Sequence, residues 1–284
     1  MNATAAPSAA TQSDLRHWSG SLVIVGAGKM GGALIEGWLR LGLAPNRLAV
    51  VEPQPSAEIA ALAARGARLN PAASALTDAA AIVLAVKPQA ASEVLPAVAP
   101  LVAAATVVVS IMAGRTLGFL AGALGETCAL VRAMPNMPAA IGRGITVAVA
   151  KNADAGQRAL ADRLLAATGA VEWVDDEALM DAVTAVSGSG PAYVFLLAEA
   201  LASAGVAAGL PAALADKLAR DTVAGSGELL HRSPLPAAAL RENVTSPGGT
   251  TAAALAVLMG ADGFAPLLRR AIAAATARSR ELAG

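Results

Sequence analysis

From residue 21 onward, short unbroken apolar runs alternate with longer segments of helical character. Residues 22–25, 48–51, 81–86, 106–111, 130–133 and 145–150 are rich in β-branched and aliphatic side chains without polar alternation, the pattern of strands buried on both faces. Residues 30–41 and 57–65 read as helices between them, and 155–168 with 171–174 extend the alternation. This order predicts an α/β fold whose N-terminal part is a Rossmann-type doubly wound parallel sheet. After residue 175 the strand signal stops. Four or five helix candidates follow, broken by Gly and Pro at SGSGP, GLP, SPLP, SPGG and ADG, and predict an all-helical second domain. Residues 192–208 and 214–223 are Ala-rich and apolar on more than one side, so they need burial all round, which a small domain obtains by packing on a second copy. The expected layout is a disordered leader over 1–20, a dinucleotide-binding domain over 21–175 and a helical substrate-binding and dimerisation domain over 176–284.

Composition narrows the partners. Lys plus Arg and Asp plus Glu are 21 each in 284 residues, and no basic stretch interleaves with aromatics, so nucleic acid is not expected. A hydrophobic fraction of 56% and the uncharged run 94–114 raise the question of a membrane span. Pro96, Pro100 and the β-branched TVVVS argue instead for a helix followed by a buried strand, so no membrane is expected. The N-terminus lacks a basic start before an apolar core. The single Cys128, in the run CALV read as a buried strand, excludes a disulfide framework and fits a reducing, cytoplasmic setting.

GAGKMG (Gly26, Ala27, Gly28, Lys29, Met30, Gly31) closes the first strand and opens a helix, the context in which GxGxxG cradles a pyrophosphate. Glu52 in VVEPQP stands about twenty residues beyond, where a carboxylate accepts from ribose hydroxyls and repels a 2′-phosphate. NAD(P)H is the expected cofactor, with Glu52 favouring NADH; Ser56 and Arg65 are nearby groups that a phosphate could recruit instead. AVKPQ and SIMAG end two further strands and should face the dinucleotide, with Lys87 either holding it or simply solvated.

The two histidines, His17 and His231, lie away from any strand end, and no metal-ligand pattern is present, so no metal is expected. The reaction should be a hydride transfer needing little acid–base help, and reduction of an imine meets that condition. VTSPGGTTAAAL near the C-terminus places Gly-Gly and hydroxyls before a helix, either as a cap or as an anion site. In SGSGP, Gly188 and Gly190 permit close backbone approach and Pro191 can begin a helix; the segment reads equally as a site wall or an interhelical turn. MPNMP reads as an interdomain turn near the nicotinamide.

GAGKMG, AVKP, AMPNMP, AVTAVSGSGPAYVF and VTSPGGTT together resemble the pyrroline-5-carboxylate reductase family, from about Ser21 to the C-terminus. The resemblance implies NAD(P)H-dependent reduction of the cyclic imine L-1-pyrroline-5-carboxylate to L-proline. It also implies dimers interlocked through the helical domain, with an oligomer of dimers left open, and a substrate site between the Rossmann domain of one subunit and the helical domain of its dimer. By position, Gly248, Gly249 and Thr250 would hold the substrate carboxylate through backbone N–H groups, and Thr251 would bring its hydroxyl to the ring nitrogen. Asn243 would lie near cofactor and substrate, Ser246 and Ser187 would belong to the substrate site, and Ala85, Val86, Lys87, Pro88, Met112 and Ala113 would line the dinucleotide. Glu52 replaces the Ser or Thr found in many members, HRSPLPAAAL departs from the common pattern, and Met137 stands where Thr is frequent. A β-hydroxyacid dehydrogenase would need a Lys early in the second domain, where none occurs before Lys217. A non-catalytic dinucleotide sensor would have no use for the SPGGTT hydroxyls.

Overall fold

The computed structural model describes residues 14–283. Eight strands form one sheet: β1 (Ser21–Val25), β2 (Leu48–Val51), β3 (Arg68–Leu69), β4 (Ala79–Leu84), β5 (Val107–Ser110), β6 (Ala129–Met134), β7 (Gly144–Lys151) and β8 (Gly169–Trp173), in the order β3-β2-β1-β4-β5-β6-β7-β8. β1 to β6 are mutually parallel and reverse direction of winding between β1 and β4, which creates the crevice used by ligands of doubly wound sheets. The sheet is parallel apart from one reversal at its far end. β7 runs antiparallel to β6, and β8 follows β7. The connecting segment, with its two prolines, folds as a short turn over Met137–Ile141 and is too short for the crossover of about a dozen residues that a parallel partner requires. MPNMP therefore makes a strand reversal within the sheet and is not an interdomain turn.

Helices α1 (Lys29–Arg40), α2 (Ala57–Ala61), α3 (Ala91–Val98), α4 (Leu117–Leu124) and α5 (Ala155–Leu165) connect the strands. Leu34, Ile35 and Trp38 of α1 meet Leu164 of α5 on one face of the sheet, and Leu95 and Leu120 pack on the other. Each fully buried Leu or Ile contributes roughly 1.5–3 kcal/mol. The Trp38 indole N–H donates to the Leu164 carbonyl at 2.9 Å, so the buried ring retains a polar partner. The run 94–114 folds as the end of α3, a short turn and β5, as its prolines and β-branched residues indicate.

Part of the expected leader is ordered. Leu15 and Trp18 are buried in the core against α1, and the Leu15 N–H donates to the Leu41 carbonyl at 2.9 Å. Two apolar side chains three residues apart suffice to bind this segment down, which the polar composition around them conceals. Residues 1–13 of that leader lie outside the described residues. Cys128 precedes β6, half-buried, and donates to the Leu124 carbonyl at 3.0 Å.

Contacts divide the chain into two units, the second being Ser189–Thr276. The first therefore extends past 175 through α6 (Met180–Val183) and a π-helical turn over Thr184–Gly188, and takes back residues from 277 onward. The second unit holds α7 (Gly190–Ala207), α8 (Ala212–Arg232), α9 (Ala237–Asn243), α10 (Thr250–Leu258) and most of α11 (Phe264–Ala283). Pro191 stands in the first turn of α7. α7 and α8 approach closely because Gly205 faces Ala215, where an added Cβ would lie 3.2 Å from the alanine methyl. α7, α9 and α10 have no buried residue, and Phe195, Leu196 and Val257 are 54%, 62% and 75% exposed. The helical stretch Glu177–Ala207 is long and apolar enough to cross a membrane by length and composition.

Candidate active site

The loop after β1 has the geometry that GAGKMG demands. Gly26 adopts φ +94°, and a Cβ there would lie 2.7 Å from the Ala85 carbonyl carbon. Its N–H donates to the Val51 carbonyl at 2.8 Å, so Gly26 turns the chain and leaves anion contact to later residues. Gly28 is the N-cap of α1, has no side-chain cap and has open space where a Cβ would stand. No acidic residue occupies the first turn, and the N–H groups of Lys29, Met30 and Gly31 begin the helix without intrahelical partners. A pyrophosphate fits this end of α1 by charge and by room. Gly31 packs on the Gly26 carbonyl, where no side chain is accommodated.

Glu52 joins this loop directly. One carboxylate oxygen accepts the Ala27 N–H at 2.8 Å and the other accepts the Gln54 N–H at 3.0 Å. A groove of about 710 Å³ runs past Gly28, Lys29, Glu52, Gln54, Ser56 and Arg65. Ser56 is already engaged: it caps α2 by accepting the Ile59 N–H, and its hydroxyl holds the Glu58 carboxyl below the ordinary value. Arg65 lines the groove and forms no ion pair among the described residues.

β4 ends at Leu84, so Ala85 to Pro88 lie beyond the sheet at its carboxyl edge, with Lys87 exposed. Met112 and Ala113 follow β5 at the same edge. The Met112 side chain is buried, whereas Ala113 is exposed. Arg115 ties the two loops together by donating twice to the Pro88 carbonyl, at 3.0 and 2.8 Å, while stacking on Phe119. Arg115 had no motif to mark it in the sequence; its position one residue past SIMAG was the only signal.

In the π-helical turn, the Ser187 hydroxyl is buried without a hydrogen-bond partner among the described residues. Such turns recur at functional positions, and an orphaned buried hydroxyl costs about 1–3 kcal/mol unless a ligand meets it. Gly188 permits the close approach, since a Cβ there would lie 2.5 Å from the Met134 methyl, whereas Gly190 faces open space.

In the second unit, Gly249 is the N-cap of α10 and carries no side chain, so the surrounding hydroxyls do not cap this helix. Gly248 adopts φ +70° and the Gly249 N–H donates to the Ser246 carbonyl at 3.0 Å. That bond closes the turn and engages the Gly249 N–H with the backbone. The N–H groups of Thr250, Thr251 and Ala252 are the ones left without intrahelical partners, and no acidic residue sits in the first turn. Asn243 ends α9 and is exposed, as is Ser246.

A phosphate-cradling loop on a doubly wound sheet, followed by a helical unit with open apolar faces, defines a Rossmann-type dinucleotide-binding protein of two units. Residues 177–282 match the family model described as pyrroline-5-carboxylate reductase dimerisation, and residues 21–114 match that described as NADP oxidoreductase coenzyme F420-dependent. The pyrroline-5-carboxylate reductase of Pseudomonas aeruginosa is 40% identical over 265 residues, covering 92% of this chain and 96% of the relative. The structure of a pyrroline-5-carboxylate reductase from Coxiella burnetii superposes with a TM-score of 0.86 at 31% identity, covering 93% and 99% of the two chains. That of Plasmodium falciparum pyrroline carboxylate reductase with NADP bound gives 0.78 at 29% identity, covering 94% and 99%. The chain belongs to the pyrroline-5-carboxylate reductase family.

Proposed function

We infer that the chain reduces L-1-pyrroline-5-carboxylate to L-proline, the last step of proline biosynthesis, in the cytoplasm and as a homo-oligomer assembled through its helical unit. The observation that carries the reading is the start of α10, where N–H groups free of any side-chain cap adjoin the Thr251 hydroxyl. Reduction of C=N requires a hydride at carbon and a proton at nitrogen. A bound nicotinamide dinucleotide supplies the hydride. The chain's own residues do the rest: Gly248, Thr250 and the first turn of α10 hold the substrate carboxylate, and Thr251 hydrogen-bonds the ring nitrogen as it becomes an amine. Ser187 gives its unpartnered hydroxyl to the bound substrate, and Asn243 borders both ligands.

The residues of the α1 loop, with Ala85 to Pro88 and Met112–Ala113, hold the dinucleotide. Glu52 favours NADH, because its carboxylate keeps lone pairs for two ribose hydroxyls while its charge opposes a 2′-phosphate. A hydroxyacid dehydrogenase is disfavoured, since Lys217 is exposed and paired with Asp221 at 2.7 Å. The test is loss of NADH absorbance on adding pyrroline-5-carboxylate, set against acyclic 2-oxo and 3-hydroxy acids. Turnover confined to the cyclic imine is expected; none with it would end the reading.

A further inference from the structure

We propose that Asn70 is a specificity-determining positioning residue: its side chain clamps the backbone of Glu52, and through it sets the preference between NADH and NADPH. The inference rests on the reading of Glu52 as the ribose contact.

The geometry is specific to one residue type. β3 contributes only Arg68 and Leu69 to the ladder with β2, and the next residue, Asn70, turns out of the sheet with φ +47°. Its N–H still donates to the Val50 carbonyl at 2.8 Å. Beyond that point the side chain takes over the strand's work. The Glu52 N–H donates to Asn70 Oδ1 at 2.8 Å, and Asn70 Nδ2 donates to the Glu52 carbonyl at 3.0 Å. One amide thus satisfies both backbone groups of Glu52. Only a side chain offering an acceptor and a donor together can do this, and Asn is also the residue other than Gly that best tolerates a left-handed backbone.

The clamp matters because Glu52 lies beyond the end of β2. Its carboxylate reaches back to the Ala27 N–H in the phosphate loop and sideways to the Gln54 N–H. Both contacts depend on where the Glu52 backbone is held, and Asn70 bonds both of its polar groups. With the peptide clamped, the carboxylate stays within reach of the Ala27 and Gln54 N–H groups, its charge set against a 2′-phosphate and its remaining lone pairs open to a diol. With the clamp gone, the side chain keeps its charge but loses its fixed position, and discrimination falls.

The experiment measures Kd for NADH and NADPH by calorimetry on the full chain, with amide hydrogen exchange at Glu52 as a second readout. Asn70→Gly keeps the backbone conformation and deletes the clamp. It should weaken NADH binding about fivefold, the equivalent of one net hydrogen bond, leave the NADPH constant within about twofold, and speed exchange at Glu52. Asn70→Asp, which keeps the acceptor and loses the donor, should exchange at an intermediate rate and keeps the test open if the glycine variant folds poorly. Glu52→Gln serves as the reference for the ribose reading. If Glu52→Gln narrows the NADH preference and Asn70→Gly weakens both cofactors alike or neither, the role of Asn70 is overturned and that of Glu52 stands. If Glu52→Gln leaves the preference unchanged, both readings fall.

Discussion

Arg132 of β6 and Glu177 form an ion pair at 2.9 Å in which the arginine side chain is 6% exposed and the carboxylate 30%. The same Glu177 oxygen accepts the Leu117 N–H at 2.8 Å, at the start of α4. One carboxylate therefore joins the sheet, a helix N-terminus and the first residue of the segment matched by the dimerisation model. Glu177→Ala leaves a buried guanidinium uncompensated, and the expected cost is about 3 kcal/mol in urea unfolding at fixed protein concentration. Arg132→Met, which removes the buried charge itself, should cost less. A loss under about 1 kcal/mol for Glu177→Ala would mean that the pair behaves as a surface contact.

Gly31 and Gly32 stand side by side in α1 and should respond oppositely to alanine. A Cβ on Gly31 runs into the Gly26 carbonyl, whereas the nearest atom to one on Gly32 is the Ala27 carbonyl oxygen at 4.0 Å. Gly31→Ala is expected to cost about 1–3 kcal/mol of stability and to weaken dinucleotide binding at least tenfold, because the loop must move to relieve the contact. Gly32→Ala should be neutral or stabilising by up to about 1 kcal/mol from helix propensity. Thermal unfolding and cofactor titration on the two variants check both.

These contrasts show what the sequence made legible. Unbroken apolar runs exposed the central strands because strands buried on both faces have no room for polar side chains, and GxGxxG in front of a helix exposed the phosphate loop. β3 was invisible because two residues, Arg68 and Leu69, carry no periodicity, and the clamp on Glu52 vanished with it. The reversal of β7 was hidden because a strand reads the same in either direction; only the short connection over Met137–Ile141 carried the information. Burial of Leu15 and Trp18 was masked by the polar and charged residues beside them, Asp14, Arg16, His17 and Ser19. At SPGGTT the residue types pointed to an anion site, but which N–H groups remain free depends on a turn closed by Ser246 and Gly249, which spacing alone does not reveal.

The apolar surface of α7 predicts the assembly's weak point. Phe195 and Leu196 are 54% and 62% exposed within a helix that has no buried residue, and apolar surface of this extent needs a partner. Leu196→Arg places a charge on the face expected to meet a partner, and should shift the protein toward monomer in light scattering and lower its melting temperature. A substitution such as Arg163→Ala, on α5 of the first unit, serves as the control. If Leu196→Arg leaves the mass unchanged, this face does not form the contact.

Thr251 tests the chemistry most directly. Its hydroxyl lies in the first turn of α10, where Gly249 already holds the N-cap position without side-chain help, so removing the hydroxyl deletes no cap. Any loss of stability should therefore be small, under about 0.5 kcal/mol. If the hydroxyl bonds the ring nitrogen as the charge on it changes, Thr251→Ala should lower kcat/KM for pyrroline-5-carboxylate by about ten- to a hundredfold. Cofactor affinity should stay within about twofold, since the elements proposed to hold the dinucleotide, Asn243 apart, belong to the first unit. Thr251→Ser, which returns the oxygen without the methyl, should restore most of the rate. A loss that serine does not rescue assigns the residue to packing, and an unchanged kcat/KM removes it from the mechanism without touching the carboxylate contacts proposed for Gly248 and Thr250.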